Sequence, residues 1–259
     1  MEGKELIKKR FAHNLDGYDA LSVVQRSICE HIDELLEDFI PSIHDNGIAV
    51  ELGAGTGFFT RHLLKRFSNT SWLINDIVPQ TETYIEKVVA QSGYVGALTY
   101  RWGDAENIDF PSGISLLASA SLFQWFYSLD EFLNRVGTNI AKGGYVVFSS
   151  FGEDNFFEIR EASLCKKGIV FPSYQDVKEW SENSGFEVLY SEAYIQKMMF
   201  HSVSDMLHYL KDTGVNGSSN GSWNRREYND FCSRYNEMYS KEEGITLSFN
   251  PIIFILKKI

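Results

Sequence analysis

The chain has 259 residues, room for one large domain or two small ones, and its 44% hydrophobic and 23% charged residues exclude a disordered or coiled-coil chain. Twenty-four Lys and Arg against 35 Asp and Glu leave a net charge of −11, which argues against nucleic acid as a partner. Cys29, Cys165 and Cys232 have neither disulfide nor metal-ligand spacing, and no signal peptide or membrane-length apolar run stands out, so the expectation is a soluble cytoplasmic protein without a metal.

The first periodic segment is Tyr18–Phe39, where Leu21, Val24, Ile28, Ile32, Leu35, Leu36 and Phe39 make one helical stripe that Pro41 closes. A strand, Ile48–Leu52, runs into the loop Gly53-Ala54-Gly55-Thr56-Gly57. A helix with Phe59, Leu63 and Phe67 on one face follows. The alternation then repeats. Strand Ser71–Asn75 ends at Asp76, and helix Thr81–Gln91 follows Pro79. Strand Ala97–Trp102 runs into Gly103-Asp104-Ala105-Glu106, and strand Ile114–Ala118 into Ser119, Ala120 and Ser121. Helix Leu129–Ala141 is broken by Gly143-Gly144 before strand Tyr145–Phe148. Strands alternating with helices predict a mostly parallel, doubly wound α/β sheet.

After Phe151 the rhythm changes. Helices are expected at Asn155–Lys167 and at Tyr174–Ser184, the second capped by Gly185, and a long strand at Glu187–Phe200. Two helices, Ser204–Asp212 and Arg225–Ser240, are joined by the hinge-like Gly214–Gly221, and Ile245–Lys257 reads as the last strand. One domain, 1–259, is expected. It comprises an N-terminal helical cap (1–40), a Rossmann-like core (41–200), a helical lid (201–244) and the last strand (245–259).

The third glycine of the loop falls one residue too early for the dinucleotide pattern, which weakens an oxidoreductase reading. Gly-x-Gly-x-Gly after the first strand lets backbone pass close to a ligand. Asp76 ends the second strand, where a carboxylate accepts both hydroxyls of a ribose, and Asp104 ends the third, placed for an adenine amino group. Each feature alone is better explained by a strand-to-helix turn or a loop cap. The three together, each at a strand's carboxyl end, point to an adenosine site.

With Glu51–Gly57 as acidic-x-G-x-G-x-G, Asp76 as ribose acid and Gly103-Asp104 as adenine contact, the chain resembles the class I S-adenosylmethionine-dependent methyltransferases. The resemblance implies a seven-stranded sheet with an antiparallel last strand. Its flanks are similar to a narrower family, the malonyl-[acyl-carrier protein] O-methyltransferases of the pimeloyl branch of biotin synthesis. Phe11 to Gln25 follows F-x(3)-A-x(2)-Y-(5 to 6)-Q with Leu15 in place of Ala. Ser119 to Trp125 follows S-N-x(3)-Q-W with Ala120 in place of Asn. Leu210 to Val215 and Ile245 to Phe249 resemble later segments.

The resemblance implies cofactor contacts at Gln25, Glu51, Gly53, Gly55, Gly57, Asp76, Asp104, Ala105 and Ser119. A desolvated carboxylate acceptor needs hydrogen-bond donors or a cation, and the Tyr18 hydroxyl and Gln124 amide are the candidate catalytic donors. Trp125 and a cation, Arg160 or Arg225, would bind substrate. A carboxylate acceptor is already ionised near neutral pH, so no general base is needed. The implied substrate is malonyl-acyl-carrier protein or malonyl-coenzyme A. A methyltransferase for a small free acid and a non-catalytic S-adenosylmethionine-binding protein are the rivals. Lys8-Lys9-Arg10, Lys166-Lys167 and Arg225-Arg226 are the basic clusters open to an acidic carrier. Asp33, Glu34, Glu37 and Asp38 read as a solvated face, and His13, His44, His62 and His201 as surface or satisfied residues.

Overall fold

The computed structural model describes residues 2–43, 47–164, 170–213 and 224–259. His44, Cys165, Lys166-Lys167 and the Gly214–Gly221 hinge lie outside them. Two N-terminal helices, α1 (Glu2–Leu21) and α2 (Val23–Phe39), precede the alternating core. The core is β1 (Ile48–Leu52), α3 (Phe58–Arg66), β2 (Ser71–Asp76), α4 (Glu82–Ser92), β3 (Leu98–Trp102), β4 (Ile114–Ser119), α5 (Leu129–Gly137) and β5 (Ile140–Phe151). Then come α6 (Phe157–Ala162), α7 (Tyr174–Asn183), β6 (Phe186–Ala193), β7 (Gln196–Phe200), α8 (Val203–Asp212), α9 (Arg225–Tyr239), β8 (Ser240–Lys241), β9 (Gly244–Phe249) and β10 (Pro251–Lys258).

Seven strands form one sheet in the order β3-β2-β1-β4-β5-β10-β6, with β10 antiparallel to both neighbours. β10 alternates between the two layers: Ile253 and Ile255 face the core shared with α2, and Ile252, Phe254 and Leu256 face the core shared with α5 and α7. That alternation buries both faces, which is why the strand reads as a continuous apolar run.

Four sequence expectations are corrected. The first helix does not run from Tyr18 through Phe39. It breaks at buried Ser22, and a helix already covers Glu2–Leu21. Lys4, Ile7, Phe11, Leu15 and Tyr18 recur every three or four residues, a stripe whose polar members hid it. The helix expected to Ala141 stops at Gly137. Gly143 and Gly144 lie inside β5, where a Cβ on Gly144 would meet the Ile114 carbonyl oxygen at 2.8 Å, so the pair serves a close strand contact. The helix expected at Asn155–Lys167 is Phe157–Ala162 within the described residues.

Fourth, the two long strands are each two strands. β6 and β10 belong to the large sheet, whereas β7 and β9 leave it for a small sheet ordered β7-β9-β8. Both strands bend at one place. Asn250 Nδ2 donates to the Tyr194 carbonyl (2.9 Å), Tyr194 N–H donates to the Pro251 carbonyl (3.1 Å), and Pro251 lacks the N–H to continue the ladder. The segment 245–259 is therefore a hairpin partner in two sheets rather than one strand.

Helices α8 and α9 pack Met206, Leu210, Phe231 and Tyr235 over β9, and the Tyr235 hydroxyl donates to the Thr246 carbonyl at 2.6 Å. Asp33 is not a solvated residue. It accepts from His62 (2.9 Å) and Arg66 (3.0 Å), joining α2 to α3, and those bonds hold its carboxyl below the usual range despite burial. Among the described residues no helix is long and apolar enough to cross a membrane.

Candidate functional site

The carboxyl ends of β1, β2, β4 and β5 open on one cleft, roofed by α1 and the start of α2. Its empty space, open mouth included, is about 1180 Å³. Gly53, Gly55 and Gly57 have φ of 69°, 55° and 84°, and Cβ atoms on Gly53 and Gly57 would lie 3.1 and 3.0 Å from the side chains of Leu122 and Ile85. Both conformation and space therefore demand glycine. Asp76 sits beneath, accepting from Gly55 N–H and Val78 N–H at 2.8 Å each. Burial raises its carboxyl to about 6, with those amides and Ile77 holding it down.

Glu51 is 1% exposed, and its Oε2 has no partner. Burial pushes its carboxyl up to about 8, the Asp76 charge adds to this, and the Thr60 hydroxyl opposes it. At neutral pH the two acids under the loop thus carry one charge, on Asp76.

Helix α1 is fastened over the loop. The Thr56 hydroxyl donates to Asp19 and the Tyr84 hydroxyl to Asp16. The Tyr18 and Phe11 rings meet edge to face at 4.8 Å, and Phe11 lies against Gly55. Burial pushes the Tyr18 phenol well above its ordinary value, with the Cys29, Tyr209, Asp76 and Asp19 charges adding to it, so it stays a donor at neutral pH. Burial likewise raises the Cys29 thiol, helped by Glu51 and Glu30, and removes it as a nucleophile.

The structure brings together Tyr18, Gln25, Gly53, Gly55, Asp76, Gln124 and Trp125 as lining residues. The others stand elsewhere. Glu51 lies below the loop. Gly57 turns into α3 behind the lining. The Ser119 hydroxyl is committed to the Leu52 carbonyl at 3.0 Å, tying β4 to β1. Ala105 is buried in the opposite core.

The Asp104 carboxylate accepts from Lys4 Nζ at 2.7 and 2.8 Å, from Glu106 N–H and from Asn107. It is fully engaged outside the cleft, because the first turn of α1 lays Lys4 across the end of β3. Neither expected substrate cation lines the cleft. Arg160 donates to the Glu153 carbonyl, and Arg225 is exposed at the start of α9.

Gln124 is partly committed: its Nε2 donates to the Ser121 carbonyl at 2.5 Å, and its Oε1 is buried without a partner. Sequence reasoning missed Arg26, Asn155 and the aromatic wall of Phe151, Phe156, Phe171 and Phe249. Arg26 had a signal. Ser22, Gln25, Arg26 and Cys29 fall at i, i+3, i+4 and i+7, a second, mostly polar stripe beside the apolar one on α2. The aromatic wall had none, because its members come from four separate segments.

A doubly wound sheet with an antiparallel strand beside β5, a bare glycine loop after β1 and a carboxylate ending β2 define a class I S-adenosylmethionine-dependent methyltransferase. Residues 50–148 match the family model described as "Methyltransferase domain". A malonyl-[acyl-carrier protein] O-methyltransferase of Bacteroides thetaiotaomicron is 34% identical, covering 98% of both chains. One of Bacteroides fragilis is 32% identical over 98% of this chain and 50% of that longer protein. Among solved structures, a Bacillus halodurans protein assigned as a methyltransferase overlays with a TM-score of 0.61 at 13% identity, covering 87% of this chain and 98% of that one. The chain belongs to the malonyl-[acyl-carrier protein] O-methyltransferase family.

The residues present fit the cofactor of that class. The glycine backbone is bare where a ligand passes, Asp76 keeps free lone pairs, and Gln25 Oε1, Arg26 Nε and Gln124 Oε1 on the lining are buried without partners.

Proposed function

We propose that this chain transfers the methyl group of S-adenosylmethionine to the free carboxylate of a malonyl thioester on acyl-carrier protein, as in the pimeloyl branch of biotin synthesis, with malonyl-coenzyme A as a second acceptor. The observation that carries this reading is the absence of a general base among the described lining residues. The lining holds no His or Lys. Asp19 takes the Thr56 hydroxyl, Asp76 takes two backbone amides, and burial keeps Tyr18 and Cys29 protonated. An acceptor must therefore arrive already ionised, as a carboxylate does near pH 7.

When bound, the cofactor supplies a sulfonium methyl whose leaving group is a neutral thioether, so one carbon–sulfur bond breaks, one oxygen–carbon bond forms and no proton moves. The glycine loop and Asp76 would hold its adenosine, the Asp76 carboxylate serving as acceptor for the ribose hydroxyls. The chain's remaining task is to position and to dry the acceptor. The Tyr18 hydroxyl and the Asn155 Nδ2 are the uncommitted donors for the acceptor carboxylate. Asn155 is 1% exposed, its Oδ1 accepts from Asn250 N–H at 3.0 Å, and its Nδ2 has no partner. Gln124 keeps one amide hydrogen for the same purpose. Trp125, Phe151 and Phe249 exclude water around them, which strengthens each bond to the carboxylate. We take α1, α8 and α9 as the lid through which a carrier-bound acyl group enters.

A methyl-transfer assay with malonyl-carrier protein, malonyl-coenzyme A, free malonate and an acetyl thioester tests this. The malonyl thioesters should become methyl esters, with the methyl on the terminal oxygen by mass spectrometry. Methylation of the acetyl thioester, or of carbon, would overturn the carboxylate mechanism. Preference for free malonate would favour a small-acid enzyme.

A further inference from the structure

Among the described residues lining the cleft, Arg26 is the one cation. Its Nε is buried, and the structure gives its guanidinium no hydrogen bond or ion pair among the described residues. It stands on the first turn of α2, stacked 6.0 Å from the ring centroid of Phe58, the residue after Gly57. The neighbouring Gln25 also lines the cleft, with Oε1 buried and unpartnered. Arg26 is half-buried, and a buried guanidinium N–H without an acceptor is costly, as is an orphaned amide oxygen. The two sit side by side, one a pure donor and the other an acceptor, facing the same space.

We propose that Arg26 and Gln25 read the zwitterionic end of the cofactor, Arg26 taking the α-carboxylate of its amino-acid tail and Gln25 Oε1 accepting from the α-ammonium. The inference rests on the methyltransferase reading and is independent of which acceptor is methylated. Position decides between this carboxylate and the acceptor's. The sheet edge runs from Asp76 on β2, through the glycine loop after β1, to Gln124 beyond β4 and Phe151 on β5. With the ribose on Asp76, the tail of the same molecule continues along the β1 side, where Phe58 and Arg26 stand.

Charge points the same way. A carboxylate there would otherwise face the charges of Asp76 and Asp19 with nothing to offset them. The far wall, Trp125, Phe151, Asn155, Phe156, Phe171 and Phe249, carries no charged side chain. The acceptor's carboxylate is left to the neutral donors Tyr18 and Asn155.

Calorimetry with two probes tests the assignment: S-adenosylhomocysteine, which carries the amino-acid tail, and 5′-methylthioadenosine, which lacks it. Arg26→Met should weaken S-adenosylhomocysteine roughly ten- to a hundredfold, the loss of a charge-assisted bidentate pair, and leave methylthioadenosine within about twofold. Gln25→Leu should act in the same direction, about three- to tenfold. Should Arg26→Met not fold, Arg26→Lys keeps the charge but not the fork, and a smaller loss confined to S-adenosylhomocysteine is expected. Equal losses for both probes, or none for either, would overturn the proposal. A raised KM for the malonyl thioester with unchanged S-adenosylhomocysteine affinity would reassign Arg26 to the acceptor.

Discussion

The two walls of the cleft are made in opposite ways. The wall at β1 and β2 is backbone and carboxylate: Gly53 and Gly55 at positive φ, with Asp76 pinned by Gly55 and Val78 amides. Its residues are near neighbours in sequence, and its polar groups are tied to main chain. The wall beyond β4 and β5 is side chain: Trp125, Phe151, Phe156, Phe171 and Phe249 around Asn155. It is gathered from the turn after β4, the end of β5, the approach to α6, the segment before α7 and the bend between β9 and β10. One wall suits a ligand whose polar groups are always the same. The other, aromatic around one uncommitted amide, is the wall we propose for the acceptor.

The largest expected effect breaks the first wall. With Asp76 in its proposed ribose role, Asp76→Ala removes that acceptor and orphans two buried amides, so S-adenosylhomocysteine affinity should fall by about 3 kcal/mol, roughly a hundredfold. Calorimetry measures it, and unchanged affinity would remove Asp76 from the cofactor site. The next effect belongs to the second wall. Tyr18→Phe removes the donor proposed for the acceptor carboxylate, for an expected loss of about 1.5–3 kcal/mol, ten- to a hundredfold in kcat/KM for the malonyl thioester. Cofactor affinity should stay within about twofold. If it falls in parallel with kcat/KM, Tyr18 serves the cofactor wall and the division between the walls fails.

The effect that is smallest near pH 5, and grows with pH, sharpens the electrostatics beneath the loop. Glu51 has its folded-state value raised from 4.5 to about 8. Between those values the folded protein keeps a proton that the unfolded chain has released, so this group makes stability fall as pH rises across that window and level off above about 8. Glu51→Gln, a neutral isostere, should change stability by less than about 1 kcal/mol near pH 5 and become the more stable form as pH approaches 8. Thermal melts of both proteins from pH 5 to 9 measure the difference. A difference that does not vary with pH would mean that Glu51 is ionised in the folded protein.

What the sequence determined by itself is what near neighbours encode. Hydrophobic period and punctuation located the alternating strands and helices of β1 through β5, although not the end of α5. The loop Gly53–Gly57 and the strand-ending Asp76 were legible because backbone conformation and strand position are local properties. The tertiary structure decided everything that depends on where distant segments meet. It engaged Asp104 with Lys4, because a helix a hundred residues earlier lies across the end of β3. It left Arg160 and Arg225 outside the cleft and set Arg26 within it, because the direction of a side chain on α2 is fixed only when α2 packs on α3. It broke two long apolar runs at one shared bend, where Tyr194, Asn250 and Pro251 exchange hydrogen bonds, and that bend carries Phe249 to the aromatic wall of the cleft. A strand's period says which residues share a face; only the packed sheet says where the strand must turn.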